Sequence, residues 1–437
     1  MIDVEQSLVD SFNEQIARLY PEDIELTKNI TFQVTDTCNL ACSYCYQINK
    51  GKRVMSLETA KKFIDLLLSG DKGFKEYIGD SKSCILEFIG GEPFLQVDLI
   101  EKIYDYFIER TLELNHPWLN KHMISICSNG VLYFTDKVQK FLEKHKGHLS
   151  FNISIDGNKE LHDMCRKFPD GSGSYDIASS AVADWVSKGN YMDSKMTIAP
   201  ANVTYVYEAS KAMVEKGYSC IHINCVYEEG WTLEHAQILY QQLKKFADYL
   251  LSLDHPEKTY YSFFRNPQTF YCDADSTDDK NWCGGDGAMI SLDPDGRIYP
   301  CIRYMESSLG TEVEPLCIGD VDNGIGKCAS CQKCLKMLEG ITRSSQSTKE
   351  CLECPIASGC SWCSGYNYQR FGTLNKRATF ICNMHRAASL ANTYYINKLN
   401  KKFNDKDRCQ VNCQKEFAIP IIGEDEYNML VELSKEE

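Results

Sequence analysis

The 437-residue sequence contains no run of 18 apolar residues and no basic N-terminal stretch leading into an apolar one. A membrane-spanning helix and an export signal are therefore not expected, and a cytoplasmic protein is the default. Positive charge is also scarce: 47 Lys and Arg stand against 61 Asp and Glu, a net charge of −14. That balance argues against nucleic acid or an anionic membrane as the main partner. The nine histidines form no pair at a metal-binding spacing. Internal repeats, linkers and low-complexity segments are absent as well. An apolar content of 43% and a charged content of 25% are ordinary for a globular protein, and the length suits a large domain plus a smaller one.

Cysteine is abundant: 22 residues, spread over a chain too long to be a small disulfide scaffold. Without an export signal these thiols are expected to be reduced, so metal ligation outranks disulfides. Cys38, Cys42 and Cys45, in the stretch from Thr37 to Tyr46, stand at i, i+4 and i+7 and can close on one soft metal centre without long-range folding. Iron–sulfur clusters normally take four Cys ligands, so three leave one iron with the open position that chemistry needs. Zinc prefers Cys-x2-Cys pairs and often a His. No His lies near this loop, and iron is favoured.

Cys38-x3-Cys42-x2-Cys45, with Tyr44 before the last cysteine, resembles the signature of radical S-adenosylmethionine (SAM) enzymes. The resemblance implies that the amino and carboxylate groups of SAM chelate the open iron of a [4Fe–4S] cluster. An electron from the cluster would split SAM to a 5′-deoxyadenosyl radical, which abstracts a substrate hydrogen.

The rest of the chain can be set beside that signature. Residues 1–28 read as a polar helical lead-in, with Leu8, Phe12, Ile16 and Leu19 at helical spacing. Strand patterns follow near 30–34, 84–89, 123–127, 149–155, 195–199 and 221–226, with helical patterns between them. Six such units over 29–255 predict an α/β fold, a parallel sheet curled into a partial (β/α)6 barrel, which the resemblance also implies. Function in such folds gathers where strands end. The second strand ends in Gly90-Gly91-Glu92-Pro93 and the third in Ser128-Asn129-Gly130. The fourth ends in Ser154-Ile155-Asp156-Gly157, followed by His162, Asp163 and Arg166. By resemblance, Gly90 to Pro93 contact the SAM amino group, Ser154 and Asp156 lie near the ribose, and Arg166 pairs with the SAM carboxylate. Thr197 and Ile198 are looser candidates for an adenine wall. Ser128 and Asn129 complete the set of cofactor contacts.

Residues 256–276 read as an irregular bridge, 277–385 as a small Cys-rich domain, and 386–437 as a C-terminal helix and tail. Asp293-Pro-Asp-Gly296 predicts a hairpin that brings Cys283 and Cys301 to one end. With Cys351-x2-Cys354-x5-Cys360-x2-Cys363 and Cys382, this order resembles the SPASM extension of radical SAM enzymes, which carries two auxiliary [4Fe–4S] clusters, making three in all. Carried over residue by residue, Cys351, Cys354, Cys360 and Cys382 would close one cluster, and Cys283, Cys301 and Cys363 would hold the other. Either that second cluster keeps an open iron, able to bind a substrate thiolate, or Cys272 or Cys317 completes it. Cys328, Cys331 and Cys334 can bind zinc or a further cluster, but a Lys-rich, loop-like setting favours reduced surface thiols. Cys84, Cys127, Cys165, Cys220 and Cys225 read as buried small hydrophobes, with Cys127 and Cys225 close enough to strand ends to face a cavity.

Enzymes with a SPASM extension mostly modify peptides. The resemblance therefore implies a maturase that forms a thioether in a Cys-containing ribosomal precursor peptide, with flavodoxin or ferredoxin as electron donor. The nearest rival is an anaerobic sulfatase-maturating enzyme, which makes formylglycine. That group has an Asp directly after the hairpin's final cysteine, whereas Cys301 is followed by Ile302 and Arg303. Carbon–carbon or carbon–oxygen crosslinking and epimerisation remain alternatives, and an iron–sulfur electron carrier is the non-enzyme alternative. The 37 residues before Cys38 leave no room for a winged-helix leader-binding domain, so recognition is expected at the barrel mouth, the tail or a separate protein. Glu87, Asn152, Asn224, Tyr227 and Arg303 are the polar candidates for substrate contact.

Overall fold

A computed structural model describes residues 27–435 apart from 80, 192–193, 229, 265–284, 286, 312, 358–359 and 361. The expected lead-in therefore lies outside the described residues, except that Thr27 and Lys28 belong to the first strand. The two candidate ligands Cys272 and Cys283 also lie outside the described residues. Six parallel strands carry the alternating pattern: β1 (Thr27–Thr35), β2 (Ser83–Gly90), β3 (His122–Ser128), β4 (Leu149–Ile153), β5 (Ser194–Ile198) and β6 (Cys220–Cys225). Helices Leu57–Leu68, Val97–Glu113, Asp136–His145, Tyr175–Ser187, Val206–Glu215 and Leu233–Ser252 alternate with them. Ser56 starts the first of these by accepting from the Thr59 amide, and Ala60, Phe63, Ile64 and Leu68 form its buried face.

Two features depart from a single curled sheet. The backbone ladder breaks between β4 and β5, so β5 and β6 form a separate sheet with β7 (Tyr260–Tyr261). The stretch expected as an irregular bridge thus contains a seventh short strand. On the opposite edge, the hairpin β8 (Met289–Leu292) and β9 (Arg297–Tyr299) does not stand apart. β8 pairs in parallel with β1, opposing Leu292 to Phe32, and extends the barrel sheet to eight strands with β10 (Gly319–Asp320) and β11 (Gly324–Ile325). Arg53 fastens this junction, with Nε 2.6 Å from Asp36 of the β1 end and Nη1 2.7 Å from Asp295 of the hairpin turn.

The segment around Cys328 is a helix rather than a loop. Cys328 caps Ala329–Glu339, its Sγ accepts from the Cys331 amide, and Cys328 and Cys331 form a disulfide instead of the expected reduced pair. Cys331 and Leu338 are buried and Leu335 is half-buried, a helical period that the lysines between them obscure. The tail packs on the barrel: helix Lys415–Ile422 lies against Leu233–Ser252, and Glu424–Leu433, packed on it and on Cys382–Lys402, reaches the barrel helix through Glu426, which accepts from Tyr240 and Lys244, each at 2.6 Å. No helix among the described residues is long and apolar enough to cross a membrane.

At the centre, the fully buried Phe32 ring lies 5.4 Å from both Phe63 and Phe88, joining β1 to its covering helix and to β2. Phe32→Ala is expected to cost about 3–5 kcal/mol, lost transfer energy plus a cavity. A lower urea midpoint with unchanged slope in the full-length chain would register it.

Candidate functional site: a chamber between two sets of cysteines

The three-cysteine loop follows β1 and is held by neighbouring strand ends. Its backbone donates from Ala41 to the Lys167 carbonyl at 2.7 Å and from Ser43 to the Cys165 carbonyl at 3.0 Å. From β2, the amides of Gly91 and Glu92 donate to the Thr35 and Thr37 carbonyls at 2.9 Å. A Cβ at Gly91 would stand 2.3 Å from the Thr37 carbonyl oxygen and 2.7 Å from Cys38 Cβ, so only glycine lets these loops meet. From β3, Asn129 Nδ2 reaches Asn39 Oδ1 at 2.6 Å.

Behind the loop, Glu92 and Asp156 act as buried anchors. Glu92 accepts from Ser128 Oγ at 2.7 Å, the Asn129 amide at 2.8 Å and the Phe94 amide at 3.1 Å. Burial outweighs those bonds and pushes its pKa up to about 6. Asp156 accepts from Arg166 Nε at 2.8 Å, the Thr197 amide at 3.1 Å and the Tyr44 hydroxyl. It thereby ties the cysteine loop to β5 across the gap in the sheet. The Arg166 guanidinium also lies 5.4 Å from the Tyr44 ring centre.

These elements enclose a chamber of about 490 Å³, within the range of small-molecule sites. Cys38, Cys42 and Cys45 line it, as do Ile302, Arg303 and Cys363. Of the expected cofactor contacts, Tyr44, Gly90, Gly91, Glu92, Pro93, Asn129, Ser154, Arg166 and Thr197 line it. Ser128, Asp156 and Ile198 are buried behind the wall, each at most 1% exposed. Of the substrate candidates, Asn224, Tyr227 and Arg303 line the chamber. Glu87 instead accepts from Thr31 Oγ1 at 2.7 Å, and neither it nor Asn152 lines the chamber. Tyr46, Gln47, Lys50, Cys127 and Glu228 line it too. Of these, only Cys127 was anticipated as a wall residue, although Tyr46 adjoins the signature and Glu228 follows the end of β6. Arg303 is clasped between rings, 5.4 Å from the centre of Tyr46 and 5.7 Å from that of Tyr366, with Nη2 3.5 Å from Glu228.

Cys363 also lines a second cavity, together with Cys351, Cys354, Cys360 and Cys382. Cys317 lines neither; its Sγ lies 3.1 Å from the Gly319 carbonyl oxygen. Among the described residues, no three His, Cys, Asp or Glu side chains surround a common point as they would a bare ion. A cluster takes one thiolate on each iron, so its ligands surround a cube rather than a point. Burial pushes the Cys42 thiol up to about 11 and raises Cys38, while Arg166 pulls Cys42 the other way. The buried Gln47 amide nitrogen, without a partner, also borders the chamber. Soft donors, a close glycine cradle and this spare donor fit a cluster with a polar ligand beside it.

Comparison with known proteins bears on this arrangement. Residues 32–182 match the radical SAM superfamily. They form a radical SAM domain. The cofactors of that family are SAM and a [4Fe–4S] cluster. The chain is 28% identical over 248 residues to the uncharacterized protein MJ0907 of Methanocaldococcus jannaschii, covering 55% of this chain and 79% of that protein. It is 23% identical over 288 residues to the antilisterial bacteriocin subtilosin biosynthesis protein AlbA of Bacillus subtilis, covering 64% of this chain and 56% of AlbA. The chain thus spans little more than half of AlbA. Among solved structures, native anSMEcpe with bound AdoMet shares the fold at a TM-score of 0.63 and 18% identity, covering 86% of this chain and 99% of that one.

His162 supports the wall of the radical SAM domain from below. Its Nδ1 accepts from the Asp156 amide at 3.2 Å and its Nε2 meets Ser174 Oγ at 3.0 Å. Burial holds its pKa down at about 4, against an ordinary 6.5. The native state therefore binds fewer protons than the unfolded chain between those values, and stability is lost as pH falls from 6.5 towards 4. The full loss is about 3 kcal/mol. Urea midpoints at pH 7 and pH 4.5 should differ less in His162→Asn, which keeps an acceptor and cannot titrate.

Proposed function

We propose that the chain is a radical SAM peptide maturase that joins a cysteine sulfur of a ribosomal precursor peptide to a carbon elsewhere in that peptide. One observation carries the reading: a single chamber touches both the three-cysteine loop and Cys363, which borders the five-cysteine cavity. A thioether removes two hydrogens from the peptide, one from S–H and one from C–H. It therefore favours a site where hydrogen abstraction and a sulfur-handling centre share one space. SAM and a cluster on Cys38, Cys42 and Cys45 supply the hydrogen abstraction when bound.

The chain's own residues prepare that space. The Gly90 to Pro93 backbone and Asn129 shape the floor beside the cysteine loop. Arg166, fixed by Asp156, offers an oriented guanidinium for a carboxylate. Arg303, Tyr227 and Asn224 line the chamber and would contact the peptide. Cys283, Cys301 and Cys363 would hold one auxiliary cluster, and Cys351, Cys354, Cys360 and Cys382 the other. A flavodoxin or ferredoxin would supply electrons. The relation to AlbA supports a peptide substrate.

A second reading, formylglycine formation, draws support from a 31% identity over 149 residues with the serine-type anaerobic sulfatase-maturating enzyme of Bacteroides thetaiotaomicron. Against it, Ile302 stands directly after the hairpin's Cys301, where that group carries an Asp, and the next residue, Arg303, is a guanidinium clasped by two tyrosines.

The test is mass spectrometry of the anaerobically reconstituted chain with SAM, dithionite and a Cys-rich candidate peptide. Loss of two hydrogens per modification, with fewer alkylatable thiols and release of 5′-deoxyadenosine, is the expected result. The same mass loss with every thiol still alkylatable would replace the thioether by a carbon–carbon or carbon–oxygen bond. Absence of deoxyadenosine with intact clusters would overturn the catalytic reading.

A further inference from the structure

The five-cysteine cavity contains a set of polar groups that the catalytic reading does not use. Arg377 is 5% exposed, and its Nε and Nη2 have no hydrogen-bond partner. Its guanidinium carbon sits 3.9 Å from the Trp362 ring centre, and its backbone amide is tied to the Gln346 carbonyl at 3.2 Å. Trp362 Nε1 and Asn367 Nδ2 are likewise buried and unpartnered. Asn367 is turned this way because its Oδ1 accepts from the Ala378 amide at 3.1 Å. All three side chains line the cavity with the five cysteines. Every one of these four unpaired atoms is a donor, and two of them belong to a fixed cation.

Buried donors need acceptors, and a buried cation needs negative charge close by. No ion pair to Arg377 occurs among the described residues. A metal-free cavity of protonated thiols would leave these groups unsatisfied. Thiolate-bound iron and sulfide supply acceptors and net negative charge together. Hydrogen bonds to sulfur and nearby charge are also what set the potential of such a cluster.

We propose that Trp362, Asn367 and Arg377 form a donor collar on the cluster held by Cys351, Cys354, Cys360 and Cys382, and that Arg377 raises the reduction potential of that cluster. The inference rests on reading those four cysteines as an auxiliary cluster site. Arg377 acts here as a positioning and tuning residue. It stabilises the reduced, more negative form of a one-electron couple, which makes this cluster the better electron acceptor.

The test uses the full-length chain carrying Cys38→Ala, Cys42→Ala and Cys45→Ala, so that only auxiliary clusters contribute. After anaerobic reconstitution, iron is counted and a dithionite titration is followed by electron paramagnetic resonance. The relevant signal is the one that Cys382→Ala removes. In Arg377→Gln, equal iron with an about tenfold lower reduced-to-oxidised ratio at fixed potential is expected, equivalent to about 59 mV for one electron. Arg377→Lys should recover part of that shift. Trp362→Phe, which keeps the ring and loses the N–H, should shift the same way by less. Equal iron with unchanged potential in Arg377→Gln and Trp362→Phe would overturn the proposal. If Arg377→Gln takes up no iron, Trp362→Phe decides alone. If the parent with three alanines holds zinc or no iron, the auxiliary-cluster reading itself falls and takes this inference with it. The iron count tells that failure from the first.

Discussion

Much of the site depends on one buried carboxylate. Asp156 is fully buried and meets a tyrosine of the cysteine loop, the guanidinium of Arg166 and a backbone amide of β5. Among the described residues no ladder joins β4 to β5, so these side-chain bonds, with Ser194 Oγ reaching the Ile155 carbonyl at 3.5 Å, join the two halves of the barrel. Gly157 lets the chain turn immediately afterwards at φ +70°, where a Cβ would meet Ala209 Cβ at 2.3 Å. Removing one partner from such a buried group leaves charges uncompensated in a low-dielectric setting. The cost would fall on the shape of the chamber as much as on stability.

Three arginines divide the cavities among them. Arg166 is neutralised by Asp156, Arg303 is clasped by tyrosine rings beside Glu228, and Arg377 stacks on Trp362 without an acidic partner among the described residues. The contrast follows from what each faces. A guanidinium already paired serves as a fixed surface for a ligand, whereas an unpaired buried one calls for an anion to complete it. The net charge of −14 is thus compatible with a locally cationic interior.

Much of this was legible in the chain. The spacing of Cys38, Cys42 and Cys45 is a local feature, so these three thiols are already neighbours in sequence, and the glycine-rich end of β2 is legible as a motif. The six strands followed from alternating patterns, with ends shifted by up to three residues. The hairpin was legible from its Asp293 to Gly296 turn, yet its parallel pairing with β1 was not, because register across more than 250 residues leaves no local mark. The helix after Cys328 was hidden by its lysines, and its disulfide ran against the expectation drawn from a missing export signal.

The sequence by itself determined the donor inventory and the order of strands and helices, because composition and local periodicity decide these. The tertiary structure decided which donors share a space. Side chains alternate along a strand, so Thr197 faces the chamber while Ile198 turns into the core. Asp156 went behind the wall because three partners from separate elements converge on it. Cys363 came to border both cavities, and Arg377 came to rest unpaired among thiols, only through contacts between segments distant in sequence. No local pattern encodes such contacts.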